Sequence, residues 1–193
     1  QPGYSPGLDA VQFYTSFASP EKDADSWNNE MPNALEAFAQ GKVAFFLGYH
    51  YDLDQIKKLN PTLNFDVTNL PQVSLQNKIN YPNYWVEGVS KTSEYPELAW
   101  RLILNLTQKD NVKTYLQNTE NPTALKSLIQ EQSAVYTLKP FVEQALTAKN
   151  WYHGEDIKTT EQLFEDLING ILEGKTLAQE LLNQTAEKIQ LTL

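Results

Sequence analysis

Residues 34–71 constrain the fold most, because their apolar spacing changes from a helical to an extended period and back within one short stretch. Leu35 and Phe38 share a helical face, and Gly41 can take the left-handed conformation that ends a helix. The run at 43–47, Val-Ala-Phe-Phe-Leu, is continuously apolar yet too short for an independent helix, which predicts a strand buried on both faces. Gly48 permits a sharp exit from it. Asp52 is then placed to cap a helix whose Leu53, Ile56 and Leu59 recur at helical spacing and which Asn60-Pro61 stops. Phe65 and Val67 alternate with polar neighbours as in a second strand, ended by Pro71. This order leaves Tyr49, His50 and Tyr51 in a turn at the mouth of a fold.

Elsewhere the pattern is helical. Leu8, Val11, Tyr14 and Phe17 predict one stripe of a helix over 7–18, and a polar loop at 19–32 carries Trp27. A second loop at 75–82 leads into Tyr84-Trp85. Three helices are expected over 93–132, the first with a wide apolar face (Leu98, Ala99, Leu102, Ile103, Leu106), and another over 139–148. The two final helices have the clearest signals: Thr159 with Gln162 and Thr176 with Gln179 both read as capping boxes, and Gly174 separates the stripes that follow them. Leu163, Phe164, Leu167 and Ile171 lie on the first stripe and Leu177, Leu181, Leu182 and Ile189 on the second, as in an antiparallel hairpin.

Composition excludes several function classes. A formal net charge of −9 opposes binding to a nucleic-acid backbone, which needs lysine and arginine to displace counterions. Without cysteine there is neither a disulfide framework nor a thiolate metal site. No run reaches the apolar length of a membrane span, and no leader precedes Gln1, so a mature or trimmed chain is expected. No nucleophile elbow, phosphate-binding glycine loop or zinc-protease motif is present. The neighbouring acids Asp52 and Asp54, and Glu165 and Asp166, read as a helix cap and a solvated helix face rather than a catalytic pair. His50 and His153, near Asp52, Asp54, Glu155 and Asp156, lack the spacing of recognised zinc sites.

The residues that stand out are aromatic. Trp27, Tyr49, Tyr51, Tyr81, Tyr84, Trp85, Trp151 and Tyr152 all fall in loops or at element ends. That placement suits a sugar, whose flat C–H patches lie on indole or phenol faces while its hydroxyls seek polar neighbours such as Asn28, Asn29, Asn83, Glu155 and Asp156. Ordinary core or rim packing is the competing reading for each ring.

Several motifs occur in the order found in extracellular solute-binding proteins of ABC importers. They are Phe38 on a helix, the Gly-Lys-Val-Ala run at 41–44, the glycine-x-aromatic turn of Gly48 to His50 and the Leu70-Pro71 strand end. Val89-Ser90-Lys91 followed by Pro96-Glu97-Leu98-Ala99-Trp100, and the closing helices around Gly174-Lys175, extend the likeness. The chain therefore resembles the maltose-binding-protein-like family, in its later part only. The resemblance implies a helix-rich α/β chain, the C-terminal part of a two-lobe periplasmic-binding-protein type II fold, with few strands and about eight helices. It implies three segments: 1–80 in the later lobe, 81–135 in the early lobe, and 136–193 returning to the later lobe.

The function it implies is that of a non-enzymatic carbohydrate receptor, extracellular or periplasmic, with a lipid anchor ahead of this segment. Its partners would be a small-molecule solute, an oligosaccharide by preference, and a membrane permease, with no cofactor, metal or nucleic acid. The implied ligand contacts are Trp27, Tyr49, His50, Tyr51, Tyr84, Trp85, Trp151 and Tyr152. Many members carry tryptophan where this chain has His50, so a flanking tyrosine can take over the stacking. A stand-alone helical interaction module remains the alternative.

Overall fold

A computed structural model describes residues 5–151 and 154–192 and is helix-rich, with nine α-helices among the described residues. The chain divides into two units, one formed by Gln1–Asn33 and Trp151–Leu193, the other by Ala34–Asn150.

The first unit contains α1 (Pro6–Ser16), α8 (Ile157–Glu173) and α9 (Ala178–Gln190). Pro6 occupies the first turn of α1, where its missing N–H costs nothing. The inward face of α1 carries Leu8, Val11 and the buried Thr15, whereas Tyr14 and Phe17 are exposed. The expected stripe is therefore corrected: residues spaced strictly three apart drift about 60° around a helix at each step, so the buried side turns to an i+4 neighbour. Thr15 tolerates burial because its hydroxyl donates to the Val11 carbonyl at 2.8 Å. Thr160 on α8 does the same to the Asp156 carbonyl at 3.0 Å.

Helices α8 and α9 fold against each other across Gly174, which ends α8 at φ 68°, the left-handed conformation its sequence predicts. They approach closely at Gly170, where an added Cβ would sit 3.1 Å from Leu181 Cδ1. Neither expected capping box forms. The N-cap of α8 is Asp156, whose carboxylate accepts from the Lys158 and Thr159 amides, so Thr159 lies inside the first turn. The carboxylate also accepts from the Thr159 hydroxyl, and these bonds hold its pKa below the ordinary carboxylate value. At α9 the N-cap is Leu177, without a side-chain cap, and Gln179 bonds Asn183 instead.

The second unit begins with α2 (Ala34–Ala39) and α3 (Asp52–Leu59), packed through Ala37, Ala39 and Ile56. Gly41 adopts φ 70° just after α2, and Asn60 ends α3. The Asn60 side chain donates to the Ala39 carbonyl at 2.9 Å, tying the two helix ends together. A second core of Leu116, Leu128, Leu138 and Val142 is built from α5 (Lys109–Thr119), a 3-10 turn at Lys126–Leu128, α6 (Ile129–Gln132) and α7 (Lys139–Gln144).

No strand ladder forms among the described residues; the single backbone bridge joins Asn80 and Ala148 in parallel. The strand expected at 43–47 is not buried on both faces, since Phe45 is 90% exposed and Leu47 is exposed beside it. Phe65 does pack, edge-on to Phe38 with ring centroids 5.7 Å apart, but its segment is unpaired. An extended segment becomes a strand only where a second backbone accepts its hydrogen bonds, and residues 43–47 and 65–67 meet none here. Helix α4 (Pro96–Leu106) is a further departure from ordinary packing, because it buries no residue.

Truncating Leu167, 1% exposed within α8, is expected to lower unfolding free energy by about 2–5 kcal/mol. Gly174→Ala has open space around the new Cβ but retains the left-handed backbone, so its loss should be about 1–2 kcal/mol. Urea denaturation of the two variants checks the order, and equal losses would contradict this account.

Candidate functional site

The aromatic turn at 48–51 is held by two reciprocal bonds between Tyr49 and Asp52. The Tyr49 amide donates to Asp52 Oδ2 at 2.7 Å, and the Asp52 amide donates to the Tyr49 carbonyl at 3.1 Å. Asp52 is thus the first residue of α3 and serves the turn before it, whereas the sequence suggested a cap for the helix after it. The N-cap position falls on Tyr51, which makes no side-chain cap bond. With the backbone so curled, the Tyr49 and Tyr51 rings stack at 5.3 Å and 25°. Tyr51 is the outer ring, 49% exposed, and Tyr49 is part-buried behind it. Burial raises the Tyr49 phenol pKa, and Tyr81, Tyr51 and Asp52 add to the rise, so Tyr49 remains a neutral hydroxyl at neutral pH.

His50 turns away from this stack. Its ring meets Phe141 of α7 edge-to-face at 5.1 Å and 90°. Half-buried there, the imidazole has its pKa lowered first by burial; Lys57 lowers it further, while the Asp54 and Glu120 carboxylates oppose the shift. The position that carries tryptophan in many members of the resembled family therefore packs inward in this chain.

Tyr81, Tyr84 and Trp85 follow an anchored residue. Buried Asn80 donates from its backbone to the Thr147 carbonyl at 3.2 Å and from its side chain to the Thr147 hydroxyl at 2.6 Å, and it accepts from the Lys149 amide at 2.8 Å. Tyr81 lies close enough to Tyr49 to affect its ionisation. Beyond it, Asn83 and Tyr84 are exposed and Trp85 is 95% exposed. The structure thus stacks Tyr49 on Tyr51, with Tyr81 near enough to influence Tyr49 and with Tyr84 and Trp85 on the segment that continues from Tyr81.

The other unit holds the remaining aromatic candidates. The Trp27 amide donates to the Phe17 carbonyl at 3.0 Å, and Trp151 packs edge-to-face on Phe164 at 5.4 Å. Asn28 accepts from the Glu30 amide, Asn29 and Glu155 are exposed, and Asp156 is engaged as the α8 cap. Tyr152 and His153 lie outside the described residues.

Two recesses open in the second unit, neither of them lined by a tyrosine. One, of about 520 Å³, lies between residues 75–79 and Thr147 and Lys149. The other, of about 380 Å³, has Leu116, Leu128 and Leu138 for its floor, with Lys113 and Glu131 paired at 2.6 Å on its rim. No group of three or more His, Asp or Glu side chains gathers among the described residues as a metal site would require. No helix among them is long and apolar enough to cross a membrane.

Residues 4–150 match the family model described as bacterial extracellular solute-binding protein. The chain belongs to that family. Membership implies a small-molecule solute bound outside the cytoplasm and an ABC permease as the receiving partner. The match includes the Tyr49–Asp52 turn, the Asn80 anchor and α4. No curated protein matches the chain.

Sequence reasoning missed Phe141 as the partner of His50, the clasp made by Asp52, and Asn80. Only the clasp had a local signal, an aspartate three residues beyond the amide it accepts from, which is the spacing of a side-chain-closed turn.

Because folding favours neutral His50, its contribution to stability is fully present above the ordinary imidazole value of about 6.5 and is lost as pH falls through the lower folded value. His50→Gln is expected to flatten unfolding free energy against pH between about 7 and 5. Denaturant unfolding across that window measures it, and parallel curves for the two proteins would refute the burial of a neutral imidazole.

Proposed function

We propose that this protein is a non-enzymatic receptor that binds a carbohydrate, an oligosaccharide by preference, and delivers it to the permease of an ABC importer. The observation that carries the reading is the stacked Tyr49/Tyr51 pair, its outer ring exposed, within the stretch that matches the solute-binding family. The exposed phenol face of Tyr51 offers a sugar ring a flat apolar surface, and Tyr81, Tyr84 and Trp85 add further exposed rings on an anchored segment. The tyrosines form a surface rather than a cavity, which suits one wall of a cleft that closes on its ligand. His50 contributes from behind the wall, by seating the turn on Phe141.

The same proposal makes these residues the later part of a longer two-lobed α/β receptor, periplasmic or lipid-anchored at the cell surface. Residues 1–80 and 136–193 would then belong to the later lobe, with Trp27, Trp151 and Tyr152 among its ligand contacts, and residues 81–135 to the early lobe. Helix α4 favours this division. Glu97, Arg101 and Asn105 make one narrow polar stripe, and the remaining positions are mostly apolar, with Leu98, Leu102 and Leu106 exposed. A helix so apolar normally lies in a core, and further chain from the early lobe would cover it. The unpaired segments 43–47 and 65–67 would gain their ladder partners from further chain of the later lobe.

The bare face of α4 also favours a second reading, a helical interaction module whose partner is another protein. Titration of the native-length protein with maltotriose and cellotriose separates the two. Tyr51→Ala and Trp85→Ala should each weaken sugar binding about 3- to 10-fold on the receptor reading. Unchanged binding in both variants would reject the tyrosine wall. No heat with any oligosaccharide, together with loss of a protein complex in Leu102→Glu, would favour the module.

A further inference from the structure

We propose that Asp52 is the positioning residue of the aromatic turn, holding the Tyr49 and Tyr51 rings in register for a ligand through its bond to the Tyr49 amide. The inference rests on the receptor reading for its ligand, although the clasp itself is independent of what binds.

Three observations converge on this carboxylate. It is the acceptor for the Tyr49 N–H at 2.7 Å, a charge-assisted bond that fixes the backbone on which one ring of the stack is carried. Its own amide returns a bond to the Tyr49 carbonyl and the Leu53 amide bonds the His50 carbonyl, so the turn is closed at both residues preceding Tyr51. The space it occupies is kept by Gly48: a Cβ there would lie 2.7 Å from Asp52 Oδ2 and would overlap the Phe46 ring. Gly48 thus makes room by side-chain proximity rather than by a left-handed backbone, and a larger residue there must displace the Phe46 ring, the Asp52 carboxylate or both.

The mechanical consequence follows from the stack. The two rings stand on residues two apart, and the curled backbone between them is tied by Asp52 through the Tyr49 amide. Releasing the carboxylate frees Tyr49 to leave the inner position, so that Tyr51 loses its backing and a sugar its preformed face. Asp52 touches no ligand in this scheme and acts through Tyr49.

The test uses the native-length protein with Asp52→Ala, Asp52→Asn and Gly48→Ala, followed by amide exchange and proton NMR. In Asp52→Ala the Tyr49 amide should lose about tenfold or more of its exchange protection, the Tyr51 ring protons should lose their upfield ring-current shift, and maltotriose affinity should fall about tenfold. Asparagine retains an acceptor oxygen and should restore most of all three, while Gly48→Ala should reproduce the alanine phenotype from the opposite side. Amides of Ile56 and Leu59 report on α3; if their protection collapses together with that of Tyr49, Asp52 merely supports the helix and the proposal is overturned. An unchanged Tyr49 amide and Tyr51 ring in Asp52→Ala would also overturn it. If amide and ring respond as expected but no variant alters maltotriose binding, the clasp is established and the sugar reading alone fails.

Discussion

Side-chain amides take the place of a sheet ladder in the second unit, and the positions of its long connections depend on them. A chain that is neither helix nor paired strand still has peptide groups to pair, most pressingly where they are part-buried, as at Ala39, Asn121 and Thr123. Here Asn60 reaches the Ala39 carbonyl, Gln144 accepts from the Leu70 amide, and Gln72 both donates to the Ile79 carbonyl and accepts from its amide. Gln132 bridges the Asn121 carbonyl and the Thr123 amide. An amide side chain suits this work because it offers donor and acceptor from one planar group, mimicking a peptide unit.

Within each unit, the helices cover very unequal amounts of surface. Helices α8 and α9 pack along their leucine faces and approach most closely at Gly170, whereas α4 buries nothing. The aromatic turn sits between these extremes: Phe141 supports it through His50, Asp52 closes it, and the outer face of Tyr51 is left open. Such a surface is preorganised without being enclosed.

Helix signals were legible in the sequence where they were local. Gly41 and Gly174 stop their helices in the left-handed conformation, Asn60 ends α3, and the last two helices meet with Leu167 buried and Leu181 against Gly170, although Leu177 of the expected stripe stays exposed as the N-cap of α9. The caps were harder to assign, because Asp156 and Thr159 are both competent acceptors three residues apart, and only the backbone path shows which residue lies outside the first turn. The apolar run 43–47 misled for a different reason: its period and length describe a strand, but burial and pairing belong to whichever backbone lies beside it.

The sequence by itself determined the acidic balance, the helix stops, the family and the presence of an aromatic turn after Gly48, since each depends on residue type or on neighbours a few positions away. Tertiary structure decided how that turn is used. It turned His50 inward against Phe141, more than ninety positions along the chain by number, and anchored the segment of Tyr81 through the Asn80–Thr147 bonds, while the Tyr49–Tyr51 stack rests on the local Asp52 clasp. No local spacing encodes which of three consecutive rings faces the interior; that choice is made by the packing partner, and the partner is brought there by the fold.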